Sequence, residues 1–303
     1  MSNPKYSPYA TADIGGSNVR FALFDDNANI VLKYRQATDS NSSEKTCDWI
    51  LGLINKYQIQ YLALCVPGPS DYENGIIHKS PNLTGSWVNF DLKTYFLERS
   101  NLKDIVFEND ANAMALANHK FYNCDKNQIS QFFTISTGFG AGLILEDQIY
   151  HGNKYFAQEI AQIPVSFTPC YNYPKLKNPN ALELHCSGSG IAWKAQNLKI
   201  AENAQEVFKL GKNNNIHALK LIDEAQIALR NMFAISAALL APNNFFVGGS
   251  LALNNKDFVI KAFELAKEIS DINHFQGVNL YFDQLGDDSA LIGLYYLIKQ
   301  RNN

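Results

Sequence analysis

Residues 10–31 read ATADIGGSNVRFALFDDNANIV. Two β-rich runs, TADIGG and VRFALFD, flank Gly15, Gly16, Ser17 and Asn18, and Asp13 stands just before the glycines. A third run, IVLKYRQ, follows the polar turn Asp-Asp-Asn-Ala-Asn, so the segment predicts a three-stranded meander. Glycine lacks a Cβ and enters positive φ freely, which lets several backbone N–H groups converge on a phosphate. The Ser17 hydroxyl adds a donor. The turn is not a Walker A loop, because GxxxxGK[ST] is absent. It is not the dinucleotide fingerprint either, because a strand rather than a helix follows it. The plain alternative is a hairpin turn with no ligand.

Moving outward, the same pattern recurs at 132–150, FFTISTGFGAGLILEDQIY: strand, glycine turn, strand, acidic turn. Laid with Gly138 on Gly15, the two copies are offset by 123 residues. The likeness is in pattern more than identity. It predicts two related lobes facing one cleft. A third glycine turn, Gly248-Gly249-Ser250, ends the strand-like FFVGG. Between these lie a helix over 43–57, a buried strand YLALCVPGP, a short helix FDLKTYFLERS, a strand IVFEND and a helix ANAMALANHKF opening just after Asp110. A long apolar helix is expected over 222–241, stopped by Pro242, with Asn213-Asn214-Asn215 a solvated turn before it. DDSALIGLYYLIKQRNN reads as a last helix, its acids at the start and Lys299 and Arg301 near the end, matching the helix dipole.

Composition excludes several classes. The 303 residues are 46% hydrophobic and 18% charged, enough for a proper core. A net charge of −3 offers no field for nucleic acid or anionic membrane. Residues 1–10 lack the basic and apolar regions of a leader peptide, and no apolar run suits a bilayer. Five scattered cysteines, without CxxC, favour reduced thiols and a cytoplasmic setting.

These motifs together resemble the ROK family of sugar kinases, in the actin/hexokinase/Hsp70 superfamily. DIGGSNVRFALFD resembles the family's first phosphate motif and STGFGAGLI its second. PGPSDYENGIIHKSPNLTGSWVNFDL looks like the segment bordering its sugar site, ENDANAMALA its catalytic motif, and VGGSLA its adenosine turn. The match covers residues of about 10–165, 181–190 and 227 to the end. It implies an α/β fold of two ribonuclease-H-like, actin-like ATPase lobes around a central cleft. The smaller lobe would comprise 1–108 with about 287–303, and the larger 109–286. It also implies a homodimer.

The resemblance assigns roles residue by residue. Asp13 would hold Mg²⁺, directly or through its water, while Gly15, Gly16, Ser17 and Asn18 line the phosphates of ATP. Thr137, Gly138 and Gly140 would serve the second phosphate motif, and Gly248 and Gly249 the adenosine. Asp110 is the expected general base, and Asn109 would hold sugar hydroxyls; the plain alternative for Asp110 is a helix N-cap. Gly68 and Asn82 would border the sugar. Glu159, in AQEIAQIPV, and Glu183, in ALELHCSG, match two family glutamates, and a carboxylate can accept from two adjacent hydroxyls.

One stretch departs from the pattern. Gln162 stands where the family has a zinc-binding histidine, Ala181 where its last cysteine would be, and Cys170 is alone in the loop. One cysteine cannot make a four-coordinate structural site, so no structural zinc is expected. Tyr171, Tyr173, Pro174 and Pro179 are expected to pack the 163–182 loop instead. Trp87 and Phe90 should seat the sugar-side segment in the core, and Arg20 should be ion-paired. The expected activity is ATP-dependent phosphorylation of a hexose or N-acetylhexosamine at the C6 hydroxyl. The alternative is a non-catalytic sugar-binding regulator of the same fold.

Overall fold

The computed structural model describes residues 6–80 and 82–302. The first five residues, part of the leader-peptide reading, and Pro81 of the sugar-side segment lie outside the described residues. The chain forms two compact units, Met1–Tyr122 with Asp287–Asn303, and Asn123–Gly286.

In the first unit, β1 (Tyr9–Ile14), β2 (Asn18–Phe24) and β3 (Ile30–Ala37) form the antiparallel meander. Helix α1 (Ser43–Tyr57) follows. Ser42 caps it, accepting from the Lys45 N–H at 3.4 Å, Glu44 suits its positive end, and Cys47, Ile50, Leu51 and Ile54 recur on its buried side. Strand β4 (Tyr61–Cys65) is apolar because it is central and covered on both faces. Next come the short strands β5 (Ser70–Asp71), β6 (Ile76–Ile77) and β7 (Phe90–Asp91), which pair as a small separate sheet. Trp87, fully buried, ties this segment down: its indole N–H donates to the Asp39 carbonyl at 2.8 Å, and its ring meets Phe90 edge to face. Helix α2 (Leu92–Arg99), strand β8 (Asp104–Glu108) and helix α3 (Asp110–Phe121) complete the run. The main sheet has the order β3-β2-β1-β4-β8, with β4 and β8 parallel to β1.

The second unit repeats that plan. Strands β9 (Ser130–Ile135), β10 (Phe139–Leu145) and β11 (Gln148–Ile149) are antiparallel. A loop leads to α4 (Leu182–Cys186), α5 (Gly188–Asn197), α6 (Ala204–Lys212) and α7 (Ile216–Leu240). Then come β12 (Asn244–Gly248), α8 (Ser250–Asn254), α9 (Lys256–Ile269) and β13 (Asn279–Phe282). The order β11-β10-β9-β12-β13 mirrors the first sheet, with β12 parallel to β9 and β13 parallel to β12. The internal repeat is therefore structural, but its register differs from the one expected. Ile14 and Ile135 are the last paired residues before each turn, so Gly15 corresponds to Ser136 rather than Gly138, and the second turn is one residue shorter. Helix α7 also begins six residues earlier than 222, because Asn215, expected as solvated turn, caps it by accepting from the N–H groups of His217 and Ala218.

The chain then returns to the first unit through α10 (Ser289–Asn302). The boundary expected at 108/109 falls after Tyr122 instead, because α3 packs on α10. A Cβ at Gly293 would lie 1.8 Å from the Ala113 carbonyl oxygen, so that close approach requires glycine.

Candidate active site

Antiparallel pairing of β1 with β2 sets Asp13 directly opposite Arg20. The Arg20 guanidinium binds the Asp13 carboxylate through Nε, at 3.2 Å, and through Nη2, and it also donates to the Asp287 carbonyl. The expected ion pair of Arg20 thus exists, and its partner is the proposed metal ligand. At the turn, the Gly15 N–H donates to the Asn18 carbonyl at 3.0 Å, and the Thr38 hydroxyl donates to the Gly15 carbonyl at 2.8 Å. The Asn18 side chain accepts from Arg35 Nε at 3.1 Å. Gly16 lies against Asn82, whose side chain would be 2.5 Å from any Cβ there. Ser17 is exposed at the tip. Thr38 and Arg35 were missed from sequence because β3 brings them beside the turn only through sheet register.

Asn109, not Asp110, caps α3, its side-chain oxygen accepting from the N–H groups of Ala111 at 2.9 Å and Asn112 at 3.4 Å. Its amide also meets the Tyr72 hydroxyl, and that hydroxyl lies beside Gly68. The plain N-cap alternative for Asp110 therefore fails: the neighbour does that work. Asp110 sits at the first helical position and accepts from the Ala111 N–H at 2.8 Å. Loss of surrounding water pushes its carboxyl above the ordinary aspartate range, and the nearby Asp13 charge adds to the rise. The backbone N–H groups of Ala111 and Asp110 itself and the Arg20 charge oppose it. Asp110 is itself exposed, so solvent reaches the residue. Glu108, buried, braces the turn by accepting from the Asn109 N–H at 2.8 Å and the Asn112 amide at 2.9 Å.

In the second unit, the turn after β9 is backed by α5. The Gly188 N–H donates to the Ser136 carbonyl at 2.8 Å and the Ser189 N–H to the Thr137 carbonyl at 2.9 Å. Gly138 leaves room for the Glu183 carboxylate, which accepts from the Phe139 N–H at 3.1 Å. Gly140 lies within β10 opposite Thr134, outside the turn. A cavity of about 290 Å³ opens beside Ser136 and Thr137, walled by Ser189, Asn203, Phe208 and Asn254. Gly249, at φ +88° and with Ile135 oxygen 2.4 Å from where a Cβ would be, turns the chain from β12 into α8, whose Ser250 also lines the cavity. Asn203 lies outside the stretches that match the family, and Asn254 lies two residues past VGGSLA, so no quoted motif marks either.

Glu159 is exposed, yet neighbouring atoms displace enough water to push its carboxyl up, and the Glu183 charge pushes the same way. Gln162 is also exposed, and its backbone carbonyl accepts from the Asn178 amide at 2.8 Å. The 163–182 loop is closed by backbone pairing: Val165 N–H to the Asn180 carbonyl at 3.0 Å and Cys170 N–H to the Pro179 carbonyl at 2.8 Å. Of the residues expected to pack it, Tyr173 does so, buried, 3.0 Å from the Ser189 hydroxyl and edge-on to Trp193. Tyr171 does not: it is 66% exposed.

For magnesium, the donor set of the first turn offers carboxylate oxygens from Asp13 and Asp110, electrostatically coupled to each other. No group of three or more His, Cys, Asp or Glu among the described residues is arranged to hold a metal. One or two carboxylates suit magnesium, which keeps several waters and takes the rest of its oxygens from phosphate. The residues therefore fit that ion.

Comparison with known proteins settles the relationship, because the ROK family profile matches residues 9–301. The chain belongs to the ROK family. Its fold is the α/β, actin-like ATPase fold of ROK sugar kinases. The ROK hexokinase of Thermus thermophilus superposes with a TM-score of 0.82 at 21% identity, covering 97% of this chain and 99% of that one. A ROK glucokinase from Streptomyces griseus, in complex with glucose and AMPPNP, gives a TM-score of 0.73 at 20% identity, covering 96% and 99%. In sequence, the chain is 25% identical to a glucokinase of Halalkalibacterium halodurans over 97% of this chain and 96% of that one. It is also 28% identical to the xylose repressor of Bacillus subtilis, over 69% of this chain but only 56% of the repressor, so it spans little more than half of that ROK relative. No helix among the described residues is long and apolar enough to cross a membrane.

Proposed function

We propose that this chain is an ATP-dependent sugar kinase that phosphorylates a hexose or N-acetylhexosamine at the C6 hydroxyl. The observation that carries the reading is the division of labour at the start of α3. Asn109 satisfies the helix N-terminus, and Asp110 keeps a carboxyl of raised proton affinity beside Asp13. In the proposed reaction the C6 oxygen attacks the γ-phosphorus, the bond to the departing ADP oxygen breaks, and the hydroxyl proton passes to Asp110. A base with raised proton affinity accepts that proton more readily as the hydroxyl loses it. Asn109, Glu159, Gln162 and Glu183 are assigned to sugar hydroxyls, with Gly68 and Asn82 bordering them. The backbone of Gly15 to Asn18 and of Thr137 and Gly138 is assigned to phosphate, and the cavity with Phe208, Asn203 and Asn254 to the adenosine. Magnesium, when bound at Asp13, supplies charge neutralisation for the phosphates. Binding there requires Arg20 to yield part of its hold on the Asp13 carboxylate.

The test is ADP release from ATP and Mg²⁺ with glucose, N-acetylmannosamine, N-acetylglucosamine and fructose. Release that depends on one of these sugars supports the reading. A second reading, a sugar sensor without turnover, is favoured by the likeness to the xylose repressor and by Gln162 in place of the family histidine. Saturable sugar binding with no ADP release would establish the sensor and refute the kinase.

A further inference from the structure

The second unit holds another cavity, of about 410 Å³, that the proposed phosphotransfer does not use. Trp193, Leu198 and Leu221 form much of its wall, Thr168, Asn172 and Asn197 add neutral polar groups, and Lys194, His185 and Glu224 form its ionisable cluster. Lys194 is 5% exposed and His185 1%. The His185 Nε2 lies 3.0 Å from the Pro179 carbonyl, which can only accept, so Nε2 carries the proton and Nδ1 faces Lys194 as an acceptor. The Lys194 ammonium sits 3.4 Å from that Nδ1 and 3.4 Å from Glu224 Oε2. Both contacts are at the long limit, and the ammonium has three protons to place, with no third partner among the described residues. A buried donor left short of acceptors is costly, and an acceptor brought by a ligand relieves it.

The same cluster selects the ligand's charge. Glu224 balances Lys194, so a carboxylate would face the Glu224 charge and an amine the Lys194 charge. A polyhydroxylated sugar is disfavoured because the lining is mostly apolar and would leave several of its hydroxyls unpaired. The volume falls within the range of small-molecule sites. We propose that this cavity is a second ligand site, for a small neutral molecule with an aromatic or apolar body and one carbonyl acceptor, held by Lys194. The site is independent of the kinase reading, and its test reads binding alone.

The probe is N-benzylacetamide, compared with phenylacetate and benzylamine by ligand-observed NMR and calorimetric titration on the full chain. The amide is expected to bind saturably and the two charged analogues at least tenfold more weakly. Leu198→Trp, at the exposed mouth, should weaken amide binding at least tenfold by filling the cavity, with the melting temperature unchanged. Lys194→Met combined with Glu224→Gln, which leaves no buried charge alone, should weaken it at least fivefold. No saturable amide binding, equal binding of the charged analogues, or undiminished binding by either variant would overturn the proposal. If the double variant does not fold, the Leu198→Trp result and the charge series decide it.

Discussion

The two five-stranded sheets share one strand order, yet their glycine turns are chemically unlike. In the first, Asp13 faces Arg20 across the last strand pair but one; in the second, the same positions hold Thr134 and Gly140. The parallel continues at the far strands: β8 leads into Asn109 and Asp110, whereas β13 ends at Phe282 and leads into Asp283. The first turn is surrounded by charge. The second is surrounded by backbone donors and acceptors fixed by α5 and by the Glu183 carboxylate. A repeated hairpin thus supplies one scaffold for two kinds of contact. In the proposed reaction the metal and the proton acceptor are assigned to the first, and hydrogen bonding to the nucleotide to the second.

That contrast breaks or sharpens under substitution. The largest expected effect is at the paired positions themselves. Asp13→Asn should lower turnover about 10²-fold or more, the scale of removing one electrostatic contact to a transition state. Thr134→Val should change it by less than about threefold, being a neutral hydrogen-bonding residue. Equal losses in an ADP-release assay would erase the distinction. Next in size are two glycines of the first unit. Gly293→Ala should cost about 1–3 kcal/mol or more by driving α10 off α3. Gly52→Ala, in α1 with nothing within 4 Å of the added methyl, should gain about 0.5–1 kcal/mol. Thermal melting of the two variants measures both, and similar shifts would refute the claimed tight contact.

Smaller effects concern protons. Arg20 opposes the rise in Asp110 proton affinity, so Arg20→Gln should move the acid limb of the pH–rate profile to higher pH. An unmoved limb would separate the two residues. The stability consequence has a definite sign. A carboxyl held above its unfolded value, about 3.9, costs stability only once pH exceeds that value. Asp110→Asn should therefore raise the melting temperature at pH 7 and leave it nearly unchanged at pH 3. The smallest effect is at Thr38: Thr38→Val removes its bond to the Gly15 carbonyl, about 0.5–1.5 kcal/mol, and should raise the KM for ATP with little change in kcat.

Much of this was legible because it is local. Glycines between alternating apolar runs announce both turns, and Asn109-Asp110 before an alanine-rich run announces the helix start. What escaped is tertiary. Nothing near Tyr122 marks the unit boundary, which depends on Gly293 lying on Ala113 far along the chain. Asn215 was read as solvent-facing because a helix cap and a turn share the same residue types. The resemblance assigns Gly140 to the second phosphate motif, and strand pairing places it within β10 opposite Thr134. The Asp13–Arg20 pair could have been found by counting hairpin register outward from the turn, since the two flank it symmetrically.

The most direct test of the central claim is kcat and ATP affinity measured together for Asp110→Ala with the best sugar substrate. The account predicts a kcat lower by about 10²–10⁴ with ATP affinity essentially unchanged. A kcat equal to that of the unsubstituted protein would contradict it.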